Sequence, residues 1–512
     1  MNVELNKLQA KAKEQINEFI ESKGEVPCML LTGPAGSGKT FITSMCLPKT
    51  GVFYAAFTNK ASKVLKTAVL KNVDGNGCMF ATIHKMLMLD PQIKESYVAS
   101  KIVNNSMEIS EVKNLYDLEA EPGMEGSTYE RPEATGDDDD GYVEKLDFSY
   151  DYKKTEYLKD YKFWVFDECS TVSSELYEYI MSTYRFMLLL NVKPQILFLG
   201  DIYQLPPVKE KLSSIFKIAE TEWPIARLNK IMRSENLRML ELNKQMYKFM
   251  KAEDYDIEDF PKNILGDNVS DIKLTSGDLI SAYCNDSSMD KIVLTYTNKN
   301  CDETNFKIQC ILDGVGYDPK MNVKFIQFKE DDRCVLDMVV SKSTHVLVNG
   351  VYELQKINRS MIYSGDIFVV VDASECLVKT KISGLLPSIG NFKAQKLTIQ
   401  NVSDEKEVYE VFWLDPEQVG KAKIALRRSV KFRVQYSFLM KEFNSVYPVL
   451  KRGYCMTVYK AQGSQYDSVY VNLNSFYYTF VKDPSMYMNL YKSVYTACSR
   501  AKSELFVSYY IT

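Results

Sequence analysis

Residues Gly33-Pro34-Ala35-Gly36-Ser37-Gly38-Lys39-Thr40 fit the pattern G-x-x-x-x-G-K-S/T, and no other stretch constrains this chain so strongly. An apolar run from Cys28 to Leu31 leads in and reads as a buried strand. Phe41, Ile42, Met45 and Cys46 lead out at helical spacing. Strand, glycine-rich turn and helix together let backbone N–H groups close on phosphate oxygens, with the positive end of the helix behind them. Lys39 is then placed to reach the β- and γ-phosphates of ATP, and Thr40 to hold Mg²⁺ through its hydroxyl. An α/β domain built around a nucleotide site is the expectation.

The rest of the chain supplies strand ends suited to the same cleft. Leu5, Leu8, Ala12, Ile16, Phe19 and Ile20 share one face of a helix over residues 3–23, on or near which lie Gln9 and Gln15. A glutamine there can read adenine, since its amide donates and accepts at once. The strand Val52–Phe57 ends in Thr58-Asn59-Lys60, and Phe80-Ala81-Thr82-Ile83-His84 repeats that arrangement. Polar residues at such ends fall on the ligand-binding edge of an α/β sheet. Phe163-Trp164-Val165-Phe166 ends in Asp167-Glu168, where Asp167 can hold Mg²⁺ through water and Glu168 can polarise the attacking water. Gln195–Gly200 ends in Asp201. Two prolines, Pro206 and Pro207, stiffen the loop behind Gln204, which is placed to sense a γ-phosphate. Arg233 follows near a helix start. Lys291–Thr295 followed by Thr297-Asn298-Lys299 echoes residues 52–63, which suggests a second, similar unit.

Two segments break this rhythm. Residues 90–158 read as an insert, with a hairpin or short helices first and an acidic, disordered surface loop over 119–141 that includes Asp137-Asp138-Asp139-Asp140. Residues 345–450 are β-rich with glycine turns, as in a small barrel. They include a helix capped by Asp415-Pro416-Glu417 that carries Lys421, Lys423, Arg427, Arg428, Lys431 and Arg433.

Charge bears on partners only once the acidic insert is set apart. From Glu108 to Asp151 there are 15 acidic residues against three basic ones, a net of −12, which leaves +8 for the rest of a chain whose total is −4. A mildly basic body suits a polyanion. The 11 cysteines form no C-x-x-C pair and only His84 and His345 accompany them, so a zinc site is not expected. Reduced thiols, no apolar run of about 18 residues and no signal-peptide pattern point to a cytoplasmic or nuclear protein without a membrane span.

The ordered set Gly33–Thr40, Thr58–Lys63, Thr82–His84, Asp167–Ser170, Gly200–Val208, Leu228–Ser234, Thr457–Gly463 and Tyr495–Ala501 resembles the superfamily 1 helicases of the RecD and phage Dda branch. Tyr459, Cys498 and Cys169 depart from the usual residues, and none of these departures removes a charged catalytic group. The resemblance implies an α/β fold of two RecA-like P-loop NTPase domains with ATP and Mg²⁺ between them. The first domain takes 1–89 plus 159–262, with the insert 90–158 as the place for a strand-separating pin. The second takes 263–344 plus 451–512, interrupted by the small-barrel insert 345–450. Lys39, Thr40, Asp167, Glu168 and Gln204 serve the nucleotide in the first domain, and Arg233 and Arg500 resemble the arginines that reach the γ-phosphate. Gln9 fits the adenine-reading position better than Gln15. Thr58, Asn59, His84 and Thr457 fall at positions that face single-stranded nucleic acid. The implied activity is ATP-dependent 5′-to-3′ unwinding of DNA, acting on single-stranded DNA and duplex junctions in replication, repair or recombination, with protein partners docking on the acidic insert. An RNA helicase and an ATPase that remodels protein–DNA complexes in a larger assembly are the alternatives. The tyrosine and asparagine content suggests a viral or phage source.

Overall fold

Short apolar strands buried on both faces must be covered on both faces by helices, and this requirement organises two of the sheets in the computed structural model. The described residues are 5–71, 77–97, 142–208, 210–232, 237–253, 255, 257, 260, 262–265, 273–274, 276–315, 327–337, 339–362, 366–429 and 436–508.

The first sheet contains β1 (Cys28–Thr32), β2 (Val52–Ala56), β3 (Cys78–Thr82), β6 (Phe163–Asp167), β7 (Gln195–Gly200) and β8 (Ile225–Arg227). Between β3 and β6 the chain forms β4 (Asp90–Tyr97) and β5 (Tyr142–Ser149), described below. Strand order is β3-β2-β6-β7-β1-β8, and every pairing is parallel. Side chains alternate across the sheet. Met29, Leu31, Val165, Leu197 and Leu199 pack with α1 (Lys7–Glu21), α2 (Lys39–Cys46) and α3 (Asn59–Leu70). Cys28, Leu30, Trp164, Phe166, Ile196 and Phe198 pack with the helices Ser174–Leu189 and Ser214–Glu222 on the other face. β1 sits where the chain's winding reverses, between β7 and β8, so the loop leaving it opens at the switch point of the sheet.

The second sheet is also wholly parallel. It runs β18 (Cys455–Thr457), β10 (Lys291–Thr295), β19 (Tyr466–Asn472), β20 (Ala501–Ser508) and β9 (Lys273–Leu274). The chain thus builds two parallel-sheet bodies of RecA-like type, matching the fold class expected of the sequence. Leu205, from the loop after β7, packs into the core of the second body beside Met246, Val494 and Tyr495.

Between β10 and β18 the chain forms a seven-stranded, mainly antiparallel sheet: β11 (Arg333–Leu336), β12 (Val340–Val348), β13 (Val351–Ile362), β14 (Ile367–Lys379), β15 (Phe392–Asn401), β16 (Asp404–Leu414) and β17 (Leu450–Arg452). Its strands curl around Leu336, Val340, Phe368, Leu397, Val411 and Trp413. They span more of the chain than 345–450, because β11 and β12 pair into the same sheet. Asp415 caps the helix Pro416–Arg428 as expected, while Lys431 and Arg433 lie outside the described residues. In the first insert, β4 and β5 form an antiparallel ribbon from Asp90 opposite Ser149 to Tyr97 opposite Tyr142. The acidic run 119–141 lies outside the described residues. Among the described residues, no helix is long and apolar enough to cross a membrane.

Trp164 stands at the centre of the first sheet, fully buried, with its indole N–H donating to the Tyr161 carbonyl at 3.1 Å. Trp164→Ala is expected to cost about 3–5 kcal/mol of unfolding free energy, measured by urea denaturation.

Candidate functional site

The loop from Gly33 to Gly38 is shaped by glycines at three points. A side chain at Gly33 would collide with the Leu228 carbonyl, and Gly33 N–H donates to Gly200 O at 3.2 Å, which ties the loop to β7. Gly36 and Gly38 adopt φ of +75° and +91°, which L side chains rarely adopt, and Gly38 caps α2. The Lys39 ammonium lies along the loop, donating to Gly33 O at 2.7 Å and Pro34 O at 3.1 Å.

Thr40 Oγ1 donates to Asp167 Oδ2 at 3.1 Å, and Glu168 N–H donates to Asp167 Oδ1 at 2.9 Å. Glu168 holds φ of +55°, a strained conformation for glutamate that turns the chain sharply at the sheet edge. Burial raises the Asp167 carboxyl to about 6, with the neighbouring Glu168 adding to this and Lys39 opposing it. A hydroxyl beside a carboxylate is a hard-oxygen donor set, which fits Mg²⁺ completed by phosphate oxygens and water. The Ser37 hydroxyl and Gln204 Oε1 are buried with no hydrogen-bond partner among the described residues. Such orphaned groups beside an anion cradle fit a phosphorylated ligand.

Gln9 reaches this loop from α1. Its Nε2 donates to Ser37 O at 3.3 Å, and its Oε1 accepts from Asn6 N–H at 3.2 Å in a capping box. One amide therefore holds both the helix start and the phosphate loop. Arg500 lies buried in the second body. Its guanidinium donates to Thr496 O at 3.0 Å, Ser499 Oγ at 3.0 Å and Ser464 O at 3.4 Å. Arg233 lies outside the described residues. Just before it, Met232 N–H donates to Gly36 O at 2.8 Å.

The fold gives a place at the site to two residues that the sequence reading names without assigning them a role. Asp201, buried at the end of β7, accepts at Oδ2 from the Tyr495 hydroxyl of the second body at 3.0 Å. Burial raises the carboxyl, while Lys39 and the hydrogen bonds from Tyr203 and Tyr495 oppose the shift. Thr496 Oγ1 accepts from Leu205 N–H at 3.2 Å beside it. The available signal was that Tyr495 begins the stretch Tyr495–Ala501 and that Asp201 ends a strand, but nothing in the sequence pairs the two.

The remaining candidates gather where the two sheets face one another. Thr58 caps α3 by accepting from Ala61 N–H at 3.0 Å, and Asn59 opens that helix. His84 is half-buried against the ring of Phe57 at 5.6 Å, and loss of hydration lowers its pKa to about 4, so the imidazole is neutral at pH 7. Thr457 ends β18, opposite Thr295. The start of α3 meets the loop after Thr457 directly. Lys60 Nζ donates to the Tyr466 hydroxyl at 3.3 Å, and Gly463 packs so closely on Ala61 that a side chain there would clash. Further out, Lys63 pairs with both Glu407 oxygens at 2.8 Å, which joins α3 to the antiparallel insert.

Two of the unusual residues also have a place. The Cys169 thiol, raised well above its ordinary value by burial, packs where a side chain on Gly200 would fall. Cys498 is buried in the core of the second body.

Gln9→Ala removes both ends of this tie. It is expected to lower stability by about 1–2 kcal/mol in thermal unfolding and to weaken nucleotide binding in a fluorescence titration.

Residues 16–210 match the family model of the AAA domain. An uncharacterized protein of Acanthamoeba polyphaga mimivirus is 23% identical over 527 residues, covering 93% of this chain and 94% of that one. Similar solved structures include a Pif1 helicase from Bacteroides in complex with ADP-AlF3 and ssDNA (14% identity, TM-score 0.47, covering 100% of this chain and 94% of that one). A Pif1 helicase from Candida albicans is also similar (15% identity, TM-score 0.47, covering 99% and 95%). The stretch similar to the AAA domain, residues 16–210, contains the phosphate loop, Asp167, Glu168 and Gln204, within a chain whose ordered motifs resemble the superfamily 1 helicases of the RecD and Dda branch.

Proposed function

We propose that this protein is an ATP-driven motor that moves 5′ to 3′ along single-stranded DNA and unwinds duplexes at junctions. One observation carries the reading: Lys39, Thr40, Asp167 and Glu168 line one edge of the first sheet, and Tyr495 and Thr496 join the helix leading to Arg500 directly onto that edge. A nucleotide bound there touches both bodies, so its hydrolysis can change their separation.

In this reading the loop amides and Lys39 hold the ATP phosphates. Thr40 and Asp167 would hold Mg²⁺, which would supply charge neutralisation when bound. Glu168 accepts the proton of the attacking water, and Gln204, with its buried unpaired Oε1, orients that water. Gln9 has one amide hydrogen and one lone pair left for the adenine edge. Arg500 is held by Thr496, Ser464 and Ser499, all in the second body, so it moves as that body moves. With Arg233 it supplies the cations that phosphoryl transfer needs.

The strand runs across the sheet ends that carry Thr58, His84 and Thr457. Thr58, Asn59, His84 and Thr457 contact its backbone there, so binding is independent of sequence. A neutral His84 donates a hydrogen bond and adds no charge. The Lys63–Glu407 pair closes the path on the side of the antiparallel insert. Roles in replication, repair or recombination, and a partner for the acidic insert, belong to the same reading.

ATP hydrolysis measured with and without single-stranded DNA is expected to show strong stimulation. Glu168→Gln should lower the stimulated rate by about 10²- to 10⁴-fold while ATP binding persists. Stimulation by RNA alone, or none by any nucleic acid, would overturn the proposal. Duplexes with a single 5′ or 3′ tail then test the polarity.

A further inference from the structure

The helix Leu237–Ala252 buries Met239, Leu242, Met246 and Met250 in the core of the second body, beside Val494 and Tyr495. One residue on that buried side is polar. Asn243 is 9% exposed, and its Oδ1 has no hydrogen-bond partner among the described residues. Helix interiors disfavour asparagine, and a buried acceptor without a donor is destabilising. Packing alone would be better served by another leucine or methionine, so the carboxamide points to a ligand.

The place of Asn243 says which part of a ligand it meets. It lines a small cavity together with Ala35 of the phosphate loop and with Tyr495 and Ser499 of the second body. Gln9, the candidate reader of adenine, stands at the helix end of that loop, 3.3 Å from Ser37 O and against Gly38. Lys39, which reaches for the β- and γ-phosphates, lies toward the other end, on Gly33 O and Pro34 O. A nucleotide with its base at Gln9 therefore runs its phosphates toward Ala35. Gln204 comes in from the same side, since the next residue, Leu205, bonds Thr496. The cavity thus lies at the terminal-phosphate end of the site.

We infer that Asn243 is a further contact of the nucleotide, on its terminal phosphate. A carboxamide carries two N–H donors besides its oxygen. A half-turn about the Cβ–Cγ bond exchanges its ends, so Nδ2 takes the place of the unsatisfied Oδ1 and donates to a phosphoryl oxygen that a diphosphate lacks. The helix that carries Asn243 packs in the second body, so this bond ties the terminal phosphate to that body. The inference rests on the nucleotide site proposed above and adds to it a residue that tells a nucleoside triphosphate from a diphosphate.

The test uses the full chain with Mg²⁺ and no nucleic acid, and compares a fluorescent, non-hydrolysable ATP analogue with fluorescent ADP. Asn243→Asp keeps the shape of the side chain and sets a carboxylate against the terminal phosphate. It should bind the analogue about ten- to a hundredfold more weakly, with ADP affinity within about twofold of the wild type. Asn243→Ala brings no charge into the core and should lose about three- to tenfold for the analogue alone. An equal loss for both nucleotides in Asn243→Ala would mark a purely structural role and overturn the inference, as would an unchanged affinity for the analogue. A wild type that binds neither nucleotide would overturn the nucleotide site itself, and the inference with it.

Discussion

A carboxylate buried between two domains needs a donor, because an unpaired charge there costs several kcal/mol. Asp201 Oδ1 accepts from Tyr203 N–H in its own loop, and its Oδ2 accepts from Tyr495 on the other body, which helps set where the second body sits. The neighbouring bond from Leu205 N–H to Thr496 places the chain just beyond Asp201 against the same helix. Leu205 then enters the apolar core of the second body, so polar pairing and packing fix one arrangement together. Asp201 Oδ2 and Leu205 N–H both find their partners on the other body.

The nucleotide site inherits its geometry from that junction. The phosphate loop is tied to β7 through Gly33 and Gly200, to α1 through Gln9 and Ser37, and to the segment before Arg233 through Gly36 and Met232. Apart from Gly33 N–H, the loop groups used in these ties are carbonyls, which cannot bond a phosphate oxygen. Two hydrogen bonds hold Lys39 along the loop, and Thr40 already touches Asp167. The protein's own bonds thus hold these groups together, and fixing them in advance limits the ordering that opposes binding.

The second cleft, between α3 and the loop after Thr457, is built from different materials. Its contacts are a lysine on a tyrosine, a glycine on an alanine and a half-buried ion pair between Lys63 and Glu407. Solvent reaches that pair, so it contributes on the order of 1 kcal/mol. This side can part at low cost, whereas the nucleotide side is closed by buried polar bonds. Such an asymmetry suits a molecule that keeps a nucleotide enclosed while a strand passes through.

Much of this was legible because local chemistry decided it. Glycine at positions 36 and 38, lysine and threonine beside them, and apolar strands ending in Asp167-Glu168 or Thr58-Asn59 have one physical use together, and the parallel sheets follow from strands apolar on both faces. The antiparallel insert was visible as texture, but its extent was not: β11 joins it through partners on β14 more than 30 residues away in sequence, and β12 through its hairpin with β13. Gln9 was found by its spacing from the loop, yet its bonds to Asn6 and Ser37 depend on how α1 packs. The sequence by itself determined the chemical groups available to a nucleotide, since those lie within a few residues of strand ends. Only the tertiary structure decided that Asp201 and Tyr495, 294 residues apart, share a hydrogen bond, because pairing across a domain boundary follows from the packing of two separate cores.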